Sequence, residues 1–112
     1  MCTADAVKIL GEVYQKCSTV FPAPIMDAYL YGSYARGDYH EESDIDILLL
    51  VDLDWPEITS RRRAISHIVS DLCLNYDITI SVTAVPFKLF TQYADDLPFY
   101  HNVLTEGIRY VA

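Results

Sequence analysis

Basic residues are scarce in this sequence. Eight Lys and Arg stand against sixteen Asp and Glu, a formal net charge of −8. That balance argues against broad nucleic-acid binding, where clustered cations must meet the phosphates. A cation requirement or a basic protein partner fits it better. The one basic run, Arg61-Arg62-Arg63, reads as the solvated face of a helix, with a phosphate or partner contact as the other reading. Cysteine is also sparse. Cys2, Cys17 and Cys73 show no metal-like pairing, and an odd number cannot close into a complete set of disulfides. Cys17 and Cys73 fall in helical patterns as small apolar residues, and a reducing, cytoplasmic setting follows. No apolar run reaches the length of a membrane span, since Ile45 to Val51 stops at Asp52. The N-terminus offers Asp5 and only Lys8 as an early positive charge, unlike a signal peptide's basic start and apolar core. Repeats and low-complexity segments are absent.

What is present is the composition of a folded chain. With 52% hydrophobic and 21% charged residues, enough apolar surface can be buried to offset the entropy of ordering. A length of 112 residues predicts one domain over 1–112. Its core is modest enough to leave room for a partner or a second copy, a homo-oligomer.

Ala6, Val7, Leu10, Val13, Tyr14 and Cys17 repeat at three and four, which predicts an amphipathic helix from Thr3, its cap, to about Cys17. Pro22 and Pro24 end it. Ile25 to Tyr31 reads as a short strand stopping at Gly32. Ser33 to Ser43 reads as a polar loop with room for one helical turn. Ile45 to Val51 is apolar almost throughout, as in an interior strand buried on both faces. Asp54 and Glu57 resemble a capping box, with Pro56 in the first turn of one helix that carries Ile58, Ile65, Ile68, Val69 and Leu72 and ends at Asn75. Ile78, Ile80, Val82 and Ala84 alternate with Asp77, Thr79, Ser81 and Thr83, a strand with one apolar and one polar face. A short helix over Phe87 to Tyr93 follows Pro86. A last helix begins near Pro98, with Phe99, Val103, Leu104 and Ile108 as its apolar side and Gly107 at its fraying end. The order predicts an α/β sandwich with a small sheet.

Chemistry concentrates in the first loop. Asp44 and Asp46 lie two apart at the start of a strand, so both carboxylates leave one face. They repel each other unless a cation lies between them, and hard oxygen ligands of this kind suit Mg²⁺. Gly32-Ser33 follows a strand directly. Glycine lets the backbone approach a phosphate, and the Ser33 amide and hydroxyl can donate to its oxygens. Arg36 would face the same anion across one helical turn, and Ser43 stands at the strand mouth. Singly, each has an ordinary structural role as a turn, cap or strand entrance. Jointly, with ten residues between Ser33 and Asp44, they describe a nucleoside triphosphate site. His40, His67 and His101 share no spacing, so they are poor metal ligands. Tyr34 or Tyr39 could line the mouth.

Gly32-Ser33-Tyr34-Ala35-Arg36-Gly37, then Ser43-Asp44-Ile45-Asp46 followed by Ile47-Leu48-Leu49, resembles the signature of the DNA polymerase beta-like nucleotidyltransferase superfamily. The small size is similar to its minimal nucleotidyltransferases, the partners of HEPN proteins in toxin–antitoxin modules. The resemblance implies a polymerase beta palm-like fold, a small mixed sheet flanked by helices. It implies two Mg²⁺ ions on Asp44, Asp46 and a third carboxylate on a later strand, matched here by Asp77. It also implies nucleotide binding by Gly32, Ser33, Arg36 and Ser43. Asp77 opens the alternating strand and is placed on its polar face, where it would complete the second metal site and help deprotonate an incoming hydroxyl. The expected reaction is transfer of AMP from ATP to a hydroxyl of a HEPN protein partner, because domains that grip nucleic acid are lacking. Two alternatives stand beside it: a nucleotide-binding antitoxin that acts by occlusion, and a transferase acting on a small molecule such as an antibiotic.

Overall fold

The computed structural model describes residues 1–111. Its elements are α1 (Thr3–Ser18), β1 (Ile25–Tyr31), α2 (Ser33–Arg36), β2 (Ile45–Val51), α3 (Trp55–Ser60), α4 (Arg62–Tyr76), β3 (Ile80–Pro86), α5 (Phe87–Tyr93), α6 (Pro98–Glu106) and β4 (Ile108–Arg109). The strands form one mixed sheet in the order β3-β2-β1-β4. The β1–β2 and β1–β4 pairs are antiparallel, and β2–β3 is parallel. A parallel neighbour needs a long crossover, which α3 and α4 supply.

Each face of the sheet carries its own core. Ile45, Ile47, Leu49 and Val51 of β2 pack with Ile9, Leu10 and Val13 of α1 and with Ile65 and Leu72 of α4. Leu48 and Leu50, on the alternate parity, pack with Tyr29 of β1, Val85 of β3, Phe90 of α5 and Val103 of α6. β2 is therefore buried on both faces, as its unbroken apolar run predicts. Asp46 is its single residue that is not buried. No helix among the described residues is long and apolar enough to cross a membrane.

Several sequence expectations are corrected. The cap of α1 is Cys2, not Thr3: the Cys2 amide donates to Asp5 Oδ2 at 3.1 Å. Thr3 opens the helix itself, and its hydroxyl is free to reach α2. The single helix expected from Asp54 to Asn75 breaks at Arg61. There the Ser60 hydroxyl donates to the Glu57 carbonyl at 2.7 Å, while the Arg61 amide turns to Ile58 O at 3.1 Å. A side chain thus competes for the acceptor that a continuous α-helix would use. Asp54 does cap α3, but its side chain makes no capping hydrogen bond. On α6 the buried residues are Tyr100 and Val103, whereas Phe99 and Leu104 are each 43% exposed and Ile108 has left for β4.

The strand expected from Asp77 begins only at Ile80. Asn75 and Tyr76 stay helical, Asp77 caps α4 in the left-handed region at φ 52°, and the Ile78 amide closes back on Cys73 O at 3.2 Å. This is a helix-terminating turn. Alternation of apolar and polar residues continues through it, so the pattern could not mark where the strand begins.

Candidate active site

The site is the end of the sheet where β1 stops and β2 and β3 begin. Gly32 stands between β1 and α2 with φ 78° and ψ −157°, a region almost closed to side chains. Its carbonyl accepts the Ala35 and Arg36 amides, both at 3.1 Å, and Gly37 closes the turn in the left-handed region by donating to Ser33 O at 2.9 Å. The amides of Ser33 and Tyr34 open α2, ahead of its own hydrogen bonds. The turn is held from below. Thr3 Oγ1 donates to Tyr34 O at 2.9 Å, and the buried Tyr34 ring stacks on Tyr39 with centroids 4.5 Å apart.

Asp46 faces this turn. Its register partners are Tyr31 on β1 and Ser81 on β3. Its parity with Leu48 and Leu50 puts its side chain on the α5–α6 side of the sheet. A Cβ on Gly32 would overlap Asp46 Oδ2, so only glycine lets the turn come so near the carboxylate. Burial pushes the Asp46 carboxyl up from the ordinary Asp value; the charge of Asp44 pushes the same way and that of Arg36 opposes both. Asp44 lies just before β2, exposed. Two neighbouring carboxylates, one of them partly desolvated, are the donor set that a divalent cation relieves.

The other expected residues are arranged differently. Arg36 lies near enough to act on Asp46, but its guanidinium is engaged by Asp38 at 3.2 Å and by Glu106 at 3.8 Å. Ser43 is turned into its own loop, where its hydroxyl accepts from the His40 amide at 2.9 Å and its amide donates to His40 O at 3.0 Å. Its position sets the course of the chain into Asp44. Asp77 is exposed at the end of α4. It lines a separate cavity of about 700 Å³ with Asp5, Lys8, Tyr34, Tyr39 and His40, on the α1–α4 side of the sheet. Beside Asp46 on β3 stand Ser81 and, two residues on, Thr83; among the described residues no group of three carboxylate, His or Cys side chains could hold a metal.

Sequence reasoning overlooked the α6 side. Phe99, Asn102 and Glu106, with Tyr31, Gly32 and Arg36, line a cavity of about 240 Å³ beside the turn. Their spacing along the helix was visible. That this stripe faces Gly32 depends on how α6 sits on β1.

Residues 10–100 match the nucleotidyltransferase domain family, and the chain belongs to it. It is similar to "Putative protein adenylyltransferase MJ0141" of Methanocaldococcus jannaschii, 35% identical over 96 residues, covering 86% of this chain and 95% of that protein. "Putative protein adenylyltransferase MJ0604" of the same organism is 34% identical over 100 residues, covering 89% and 92%. The fold is shared with a chain solved in a "toxin-antitoxin with AMP-PNP", at a TM-score of 0.58 and 20% identity over 91% of this chain and 72% of the other. The family resemblance read from the Gly32–Asp46 segment therefore holds, and the protein is a nucleotidyltransferase.

Proposed function

We propose that this chain transfers AMP from Mg-ATP to a hydroxyl of a partner protein, and that the partner is a HEPN toxin which it neutralises as an antitoxin. The observation that carries the reading is the approach of the Gly32 turn to the Asp46 carboxylate, which supports a phosphate held beside a cation. Similarity to relatives named as protein adenylyltransferases and to a toxin–antitoxin chain with AMP-PNP supports the nucleotide and the kind of partner. The net charge of −8 favours a basic protein surface over nucleic acid.

In this reading the Gly32 backbone and the Ser33 amide and hydroxyl hold the triphosphate, with Arg36 adding positive charge at its flank. Ser43 shapes the loop that delivers Asp44. Asp44 and Asp46 hold Mg²⁺, which usually takes one or two protein carboxylates and fills its shell with water and phosphate. The ion supplies charge neutralisation at the reacting phosphate. The pair suits one ion. The second, expected on Asp77, lacks a third carboxylate beside the pair among the described residues. The acceptor oxygen bonds to the α-phosphorus as the α–β bridging bond breaks, pyrophosphate leaves with the electron pair, and the hydroxyl proton passes to water.

Incubation with Mg-ATP and the protein encoded beside this chain, followed by intact-mass measurement, tests the proposal. The partner gains a nucleotidyl unit with the wild type and none with Asp44→Asn or Asp46→Asn; no added mass on an authentic partner overturns it. One observation favours a second reading. Ser81, not a carboxylate, neighbours Asp46 on β3, as a nucleotide-binding antitoxin acting by occlusion would allow. Occlusion predicts that wild type and Asp46→Asn silence the toxin equally.

A further inference from the structure

One stripe of α6 is presented to the phosphate turn. Phe99, Asn102, Val103 and Glu106 follow the helical spacing of three, four and seven, and all four line the cavity of about 240 Å³ that Tyr31 and Gly32 complete. Val103 is buried and seats the helix on the sheet; Phe99, Asn102 and Glu106 remain exposed. Phe99 meets Tyr31 edge-on, with ring centroids 5.3 Å apart and planes at 75°. The ring also meets Tyr100, with centroids 5.8 Å apart and planes at 51°, yet it stays exposed and lines the cavity. Glu106 reaches Arg36 at 3.8 Å, which ties the far end of the stripe to the turn. An aromatic ring, an exposed amide and a carboxylate are thus gathered around a cavity that shares Gly32 with the phosphate turn.

We propose that this cavity receives the nucleobase of the bound nucleotide, with Phe99 as its stacking platform and Asn102 as the residue that reads its edge. The inference rests on the nucleotidyl-transfer reading above. Stacking is indifferent to the base, because every base has a π face. Discrimination falls to Asn102, whose amide offers an acceptor and donors side by side. Adenine presents a complementary pair, the N6 amino donor beside the N7 acceptor, whereas guanine presents two acceptors, O6 and N7. A guanine in the same pose sets O6 against the Asn102 carbonyl. On that edge Asn102 therefore favours adenine over guanine. Glu106, held by Arg36 at 3.8 Å, fixes the far end of the stripe against the turn.

Calorimetric titration of the full chain with Mg-ATP, Mg-GTP and inorganic tripolyphosphate tests this, with Asn102→Leu and Phe99→Leu as variants. Asn102 is exposed, so its replacement leaves the fold intact, which a thermal melt confirms. The wild type is expected to bind ATP at least tenfold more tightly than GTP. Asn102→Leu removes most of that preference and leaves tripolyphosphate unchanged. Phe99→Leu weakens ATP and GTP alike, about tenfold, the scale of base stacking on an aromatic ring, again sparing tripolyphosphate. Retention of the full ATP preference by Asn102→Leu overturns the proposal, as does weakening of tripolyphosphate in step with ATP. A wild type that binds neither ATP nor tripolyphosphate instead overturns the nucleotidyl-transfer reading, so the two failures are distinguishable.

Discussion

Gly32 and Asp46 face each other across the β1–β2 edge so closely that a methyl group on the glycine would overlap Oδ2 and stand 3.4 Å from Cγ. The strained backbone of the glycine and the place of the carboxylate are therefore one feature. Gly32→Ala is expected to cost about 1–3 kcal/mol for its disfavoured backbone region alone. It should also displace Asp46, lowering transfer by a factor on the order of 100, the scale of an ångström-sized misplacement. Urea unfolding and the transfer assay measure the two effects. Normal stability with full transfer would contradict the geometry.

Asp46 is held at a cost that its neutral form escapes. Burial, then Asp44, raises its folded pKa above the unfolded carboxylate value, with Arg36 in opposition. The folded state therefore binds the proton more readily. Stability falls as pH rises from the unfolded carboxylate pKa through the raised folded one, and the full penalty is present at neutral pH. Asp46→Asn is predicted to raise the melting temperature of the metal-free protein at pH 7 and to change it little below the ordinary carboxylate range, while abolishing transfer. Mg²⁺ should stabilise the wild type and not the variant. Melting curves across pH, with and without Mg²⁺, would reveal the reverse order if this account were wrong.

Asp77 ends α4 in the left-handed region, which a glycine adopts without strain. Asp77→Gly should gain up to about 1 kcal/mol. Because Asp77 is exposed and lines a cavity apart from Asp46, transfer should stay within about twofold of wild type. A large loss of transfer in a folded variant would return Asp77 to the site.

The thiols should separate by environment. Cys17 is fully buried, and desolvation pushes its pKa up to about 11, whereas Cys2 is exposed. The thiolate is the reactive form. Alkylation at pH 8 followed by peptide mass mapping should label Cys2 rapidly and Cys17 only in denaturant. Early labelling of Cys17 in native protein would contradict the packing of α1.

The phosphate turn and the acidic pair were legible because both are local. The interval from Gly32 to Asp46 carries its own turn chemistry, and Asp44, just outside β2, stays close enough to Asp46 inside it for its charge to raise the Asp46 pKa. The bounds of β1, β2 and α5 were legible for a similar reason, since prolines, glycine and acidic residues interrupt the apolar runs there. The site beyond that segment was not. Asp77 sits in a pattern that helix exit and strand share, and only the turn onto Cys73 O decides between them. Phe99, Asn102 and Glu106 could be placed on one helix face, but not opposite Gly32, residues 67 to 74 positions earlier in the chain.

By itself the sequence determined the family, the sequence of helices and strands in outline, and the segment proposed to bind phosphate and metal. The elements follow from periodicity and turn residues within a few positions of one another, and the family from the resemblance of the Gly32–Leu49 segment to its signature. Tertiary structure alone decided that Asp46 is partly desolvated against Gly32, that Ser81 and not Asp77 stands beside it, and that α6 walls the cavity next to the turn. The reason is that desolvation, strand register and helix docking arise from contacts between distant segments, and no local pattern encodes which of them will meet.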